Sequence, residues 1–180
     1  MSPLPIDLGA GALLRRYTLD DLETIWGAVE EERARLGVWE PWVEATRTID
    51  DERTWLERVL ADVSSLEGTG LFVDGAYAGG IGMRFDPFGV AAEIGYWIRS
   101  GYEGRGLVTM AARAMADLAF RERGVHRVAI RAGVGNVRSR AVAERLGFAF
   151  EGIARGEGKG AGGFYDMAIY GVLEDEWPSS

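Results

Sequence analysis

The chain has 180 residues, 47% of them hydrophobic, which is enough for one well-buried core and too little for two ordinary domains, so one domain over residues 1–180 is expected. A formal net charge of −8 argues against nucleic acid as a partner, since such binding draws on Lys and Arg to neutralise phosphates. The absence of cysteine excludes a thiol nucleophile, and one histidine cannot build a conventional histidine metal cluster, so no metal is expected.

No apolar run approaches the length of a membrane span, and MSPLPIDLGAG lacks the basic and apolar regions of a secretory leader. A cytoplasmic protein without membrane contact is the expectation. Along the chain, Thr18 with Asp21 three residues on reads as a capping box ahead of Leu22, Ile25, Trp26 and Val29 at helical spacing. Thr48 and Asp51 repeat that start signal before Leu56, Val59, Leu60 and Val63, so two helices flank the segment Trp39 to Trp42. Leu71 to Val73, the turn Asp74-Gly75 and Ala76 to Phe85 read as a hairpin, and Asp86 to Gly89 turns the chain into a further strand through Glu93. After a Gly-rich turn, Ala111, Ala114, Met115, Leu118 and Ala119 share a helical face that Gly124 stops. Val128, Ile130 and Ala132 alternate as a strand, giving a strand–helix–strand crossover. Asn136 caps a short helix ending at Gly147, and strands over Phe148 to Gly152 and Phe164 to Val172 complete a mixed α/β sheet. The patch Gly156 to Gly163 reads as a loop between the last two strands that could act as a lid.

The most informative stretch is EIGYWIRSGYEGRGLVT, Glu93 to Thr109, where an alternating strand runs through a Gly-rich turn into a helix. Gly104 and Gly106 let backbone approach an anion, and the first N–H groups of the following helix have no partners within it. The turn lacks the lysine of a Walker loop, and the third glycine of a dinucleotide fingerprint would fall on Thr109. What remains is Gly-x-Gly, then Asn136-Val137-Arg138-Ser139 and Arg145-Leu146-Gly147-Phe148. In that order these pieces resemble the acetyl-CoA site of the GNAT superfamily of N-acetyltransferases. The resemblance is closest to the RimJ/RimL branch, which acetylates α-amino groups of ribosomal proteins, and it includes Leu36 to Trp42, Tyr165-Asp166 and Glu176-Trp177. One departure is Gly101, where the superfamily signature begins with Gln or Arg; this removes a side-chain contact and leaves the backbone cradle.

The resemblance implies a GNAT fold, α/β in class, with a central mixed, mostly antiparallel sheet splayed at its middle and flanked by helices. Pantetheine would lie in the splay, with backbone contacts from Trp97, Ile98 and Arg99. Gly104, Arg105, Gly106, Leu107, Val108 and Thr109 would cradle the pyrophosphate, and Asn136 and Ser139 would meet the cofactor arm. Glu93 is the expected base and Ser139 the expected partner of the thiolate, with Tyr165 as a second acid. Trp39, Trp42, Glu93 and Tyr165 would wall the acceptor pocket, and Glu40 or Glu44 would attract a cationic amine. A proton costs about 1 kcal/mol to remove at pH 7 from an α-amine of pKa ~7.8, against roughly 4.6 kcal/mol from a lysine-like amine of pKa ~10.4, which favours peptide N-termini.

The expected activity is therefore acetyl transfer from acetyl-CoA to a primary amine by direct attack on the thioester. A polyamine, an amino-sugar drug or another small amine as acceptor, or a larger acyl donor such as succinyl-CoA, keeps the same fold. A noncatalytic acyl-CoA-binding sensor is the reading from another class. Neither the acceptor nor the oligomeric state, a homodimer included, is fixed by any segment.

Overall fold

The computed structural model describes residues 4–62 and 66–178. Its strands are β1 (Ile6–Gly9), β2 (Ala12–Arg16), β3 (Thr69–Val73), β4 (Ala76–Phe85), β5 (Ala91–Ile98), β6 (Arg127–Gly133), β7 (Ala149–Gly160) and β8 (Gly163–Leu173). Its helices are α1 (Leu22–Leu36), α2 (Trp42–Ala45), α3 (Ile49–Ala61), α4 (Leu107–Arg123) and α5 (Val137–Arg145). The eight strands form one sheet in the order β1-β2-β3-β4-β5-β6-β8-β7, antiparallel at every junction except β5–β6. The mixed, mostly antiparallel α/β sheet expected from the sequence is present.

Both capping boxes form: Asp21 Oδ2 accepts from the backbone N–H of Thr18, and Asp51 N–H donates to Thr48 Oγ1. Val63, assigned to the second helix from its spacing, lies outside the described residues. Gly124 ends α4 with φ at 62°, in the left-handed region where a glycine carries no Cβ penalty. One apolar layer lies between the sheet and α4 with α5, holding Met83, Ile94, Met115, Ile130 and Tyr170. A second lies on the opposite face beneath α1 and α3, around Tyr17, Ile25, Leu56, Phe72 and Tyr77.

Two features depart from the sequence reading. The hairpin β1–β2, which no periodicity had indicated, adds an edge to the sheet through Ala12 to Arg16 paired with Thr69 to Val73. The patch Gly156 to Gly163 is not a loop: Gly158, Lys159 and Gly160 pair with Tyr165, Phe164 and Gly163, leaving only two residues at the turn. Two of its glycines serve close approach. A Cβ on Gly158 would fall 2.0 Å from the Tyr165 ring, and one on Gly160 would fall 2.1 Å from the carbonyl oxygen of Val38. The Ala161 N–H donates to the Gly37 carbonyl at 2.8 Å, so the hairpin tip is fastened to the end of α1.

Strands β5 and β6 pair only from Ala91–Arg127 to Ile94–Ile130. Beyond that, β5 continues along β4 to Ile98 while β6 follows β8 to Gly133, and a gap opens between them. This is the splay.

Candidate active site

The gap widens into a cleft of about 1640 Å³ that runs from the Gly-rich turn, past the splay, to the apolar layer under α1 and α3. That exceeds the ~300–1,000 Å³ of a single small-molecule site and leaves room for two substrates. Glu93, Gly95 and Trp97 of β5 face this cleft, and a Cβ on Gly95 would meet nothing, so the floor between Glu93 and Trp97 is open.

At the turn, Gly104 and Gly106 both hold φ at 74°, and an added Cβ on either would meet no atom within 4 Å. None of the backbone N–H groups from Gly104 to Thr109 has a hydrogen-bond partner among the described residues. A row of unpaired donors at the N-terminus of a 17-residue helix suits a pyrophosphate. The turn is anchored from behind: Glu32 of α1 accepts from Ser100, and Arg35 donates to the Ile98 carbonyl and to Glu103, which also pairs with Arg138. Arg105 turns its side chain over the Tyr102 ring.

The hydrogen bonds that close the β4–β5 ladder, Asp86 N–H to Ala91 O and Arg99 N–H to Ala78 O, fix its parity. In an antiparallel pair the inward and outward backbone groups alternate, so Trp97 directs its N–H and C=O toward Gly80, whereas Tyr96 and Ile98 direct theirs into the gap. The expectation that Trp97 offers backbone to the gap is therefore corrected to Tyr96, and of the Ile98 groups the carbonyl already accepts from Arg35, which leaves its N–H. Arg99 is also committed elsewhere, with its N–H on Ala78, its carbonyl accepting from Tyr102 N–H, and its guanidinium on Glu31 and the Tyr77 carbonyl.

Ser139 stands at the start of α5, where the Asn136 Oδ1 accepts from its N–H at 3.2 Å. That cap uses the oxygen of Asn136 and leaves its amide N–H₂ on the cleft wall. Ser139 Oγ donates to the Tyr96 hydroxyl at 3.1 Å, and Tyr96 in turn donates to the Ser139 carbonyl at 3.0 Å. Burial pushes the Tyr96 hydroxyl up to about 12, so it stays protonated. The sequence reading missed Tyr96. The signal was its even position on the splayed strand, one residue before Trp97.

Farther along the cleft, Trp39 packs on Gly133 and Gly135 and meets Tyr165 edge-on at 5.2 Å. The Tyr165 hydroxyl donates to the Trp39 carbonyl at 2.5 Å, which commits its proton to holding this wall. Trp42 lies 6.4 Å from Trp97, and its Nε1–H donates to Glu40 Oε2 at 2.9 Å. Burial pushes the Glu40 carboxyl up to about 7, with Trp42 and Arg84 pulling the other way. Glu93 is gripped instead, with Arg84 at 3.3 Å on one oxygen and Arg131 at 4.0 Å on the other. Arg131 also pairs with Glu157, and its Nε is buried without a partner among the described residues.

A family model described as an acetyltransferase (GNAT) domain matches residues 12–149. A putative ribosomal N-acetyltransferase, YdaF of Bacillus subtilis strain 168, is 38% identical over 162 residues, 87% of this chain and 88% of that one. A crystal structure of a probable acetyltransferase superposes with a TM-score of 0.88 at 35% identity, covering 97% of this chain and 99% of the other. RimL, a ribosomal L7/L12 α-N-protein acetyltransferase solved in complex with coenzyme A, superposes with a TM-score of 0.88 at 21% identity over 94% and 98% of the two chains, a likeness of fold.

Proposed function

The chain belongs to the acetyltransferase (GNAT) family, and from that premise we propose that it moves an acetyl group from acetyl-CoA to a primary amine, most suitably the α-amine of a protein or peptide. The observation that carries the cofactor is the row of unpartnered N–H groups from Gly104 to Thr109 beside a sheet that opens at Ile94. Phosphate would sit on the former, and the amides of pantetheine would take up the backbone groups of Tyr96 and the N–H of Ile98 in the latter. Asn136 would add its amide N–H₂ to the cofactor arm.

The amine lone pair forms a bond to the thioester carbonyl carbon, the C–S bond breaks, and the thiolate leaves with the proton of the Ser139 hydroxyl, which water in the cleft restores, while the Tyr96 hydroxyl holds Ser139 Oγ in place. The amine's proton goes to a carboxylate. Glu40 suits that step better than Glu93, because its half-buried carboxyl lies beside the cleft with its proton affinity raised to near neutrality, whereas two guanidinium groups hold Glu93. Glu93 then positions Arg84 and Arg131. Support for an α-amine comes from the smaller cost of its deprotonation, and for a protein acceptor from the relative named a putative ribosomal N-acetyltransferase.

The test is CoA release from acetyl-CoA, with intact-mass detection, across N-terminal peptides, polyamines and amino-sugars. A peptide gaining one acetyl at its α-amine is the expected result. Labelling of small amines alone would reassign the acceptor, and binding of acetyl-CoA without turnover on any acceptor would replace the transferase by a sensor.

A further inference from the structure

Six carboxylates line the cleft, and four of them are neutralised where they stand. Glu67 meets Arg58 and Arg84, Glu93 meets Arg84 and Arg131, Glu103 meets Arg35 and Arg138, and Glu157 meets Arg131. Glu40 has its indole donor. Glu52 has nothing. It is 4% exposed, yet its carboxylate makes no hydrogen bond or ion pair among the described residues. The one cation that acts on it is Arg33, whose donors are taken by Glu30 and the carbonyls of Val43 and Thr46.

Glu52 belongs to the first turn of α3, at the inner end of the cleft, where the surroundings are aromatic. Tyr17 meets Trp55 edge-on at 5.9 Å and Tyr77 at 6.0 Å, and Tyr77 meets Trp97 at 5.8 Å. The Tyr17 and Tyr77 hydroxyls share one hydrogen bond at 2.9 Å, in which either can donate. Gly80 makes the arrangement fit, since a Cβ there would come within 2.8 Å of the Trp97 indole nitrogen. A carboxylate unmet by any side-chain donor among the described residues, in an aromatic end of the cleft, has the composition of a cation receptor.

We propose that Glu52 with Tyr17, Trp55, Tyr77 and Trp97 forms a subsite for a second cationic group of the acceptor, an ammonium or guanidinium carried beyond the amine that is acetylated. The proposal rests on the transferase reading for its acceptor, and it names a class within it: peptides with Lys or Arg near the N-terminus. The carboxylate supplies the charge and hydrogen-bond acceptor that a buried cation requires, and the rings exclude water while offering their negative faces. A neutral side chain of equal length would leave Glu52 unpaired in the closed complex, which is the larger part of the discrimination.

The experiment compares kcat/KM for tetrapeptides carrying Lys at position 2, 3 or 4 with the same peptides carrying norleucine, in the wild type, Glu52→Gln and Trp55→Leu. The expected result is a preference of about tenfold or more for Lys at one position, worth ~1.4 kcal/mol, that collapses to within about twofold in Glu52→Gln. Trp55→Leu reads the same ratio should Glu52→Gln not fold. A preference absent from the wild type, or retained in both variants, would overturn the subsite. If neither peptide is acetylated, the transferase reading fails separately. The subsite is then decided by tryptophan fluorescence with the N-acetylated Lys peptide as probe: saturable in the wild type and weakened about fivefold or more in Glu52→Gln if it exists, absent in the wild type if it does not.

Discussion

The carboxylate of Glu32 on α1 accepts hydrogen bonds from both the N–H and the hydroxyl of Ser100, at 2.6 and 2.7 Å. Burial works to raise its proton affinity, but those two bonds and the Arg35 guanidinium outweigh it, and the carboxyl is held below its ordinary value. An ionised helix residue thus fixes the turn that precedes the Gly104–Thr109 cradle. Glu32→Ala is expected to raise the KM for acetyl-CoA by about tenfold with kcat changed by less than about threefold, since a charge-assisted bond contributes ~1.5–3 kcal/mol. An initial-rate study varying acetyl-CoA measures this, and an unchanged KM would disconnect Glu32 from the cradle.

Gly106→Ala separates protein strain from lost ligand space. At φ of 74° an alanine costs about 1 kcal/mol, and its methyl would meet no protein atom. The fold should survive with its Tm lowered by only a few degrees, while the methyl intrudes where a phosphate would lie. Calorimetric titration with acetyl-CoA is expected to weaken by more than tenfold. Affinity equal to the wild type's would move the phosphate elsewhere.

Ser139→Ala and Tyr96→Phe remove the two partners of one hydroxyl pair. Each should lower kcat by about 10- to 100-fold, and the double variant should be little worse than the slower single one, because groups that act as a unit lose function once. Fully multiplicative losses would mean that the two hydroxyls act independently.

The kcat–pH profile distinguishes the two carboxylates offered for proton removal. With its carboxyl pushed up to about 7, Glu40 is protonated and idle in acid, so kcat should climb as pH rises through about 7. Glu40→Gln should lower kcat by roughly 10²-fold and erase that limb. Glu93→Gln should keep the limb, and its disappearance there would return the role to Glu93.

Glu52 gives a stability signature of defined sign. Burial pushes its carboxyl from 4.5 up to about 7, against the pull of Arg33, so the native chain holds a proton that the unfolded chain releases. Stability from this group is intact below about pH 4.5, falls as pH rises to about 7, and is flat above, a span on the order of 3 kcal/mol as an upper bound. Glu52→Gln removes the ionisation. Its Tm should exceed the wild type's at pH 8 and match it near pH 5; melts in which the wild type gains on the variant with rising pH would contradict the assignment.

Helix starts, the hairpin at Asp74-Gly75 and the cradle at Gly104 to Thr109 were legible because each is fixed by local chemistry: a cap, a turn residue, a helix end. Gly156 to Gly163 misled for a physical reason. Glycine in sequence signals chain freedom, but here Gly158 and Gly160 give way to the Tyr165 ring and the Val38 carbonyl, partners that only the fold supplies. The same distinction divides the site. Ser139 and Asn136 follow from a motif within one turn of helix, whereas the pairing of Tyr96 with Ser139 spans 43 positions and the isolation of Glu52 depends on which arginines other carboxylates take.

Because β5 and β6 share only the register from Ala91 to Ile94, the molecule is two half-sheets joined at one corner. Strands β4 and β5 carry Tyr77 and Trp97 and lead into the Gly-rich turn, and β7 and β8 carry the hairpin, with Ser139 on the helix between β6 and β7. A ligand wedged in the gap is then also a strut that sets the angle between the halves. Loading it should slow amide exchange along the inner borders of β5 and β6 together while leaving β1 and β2 as they were.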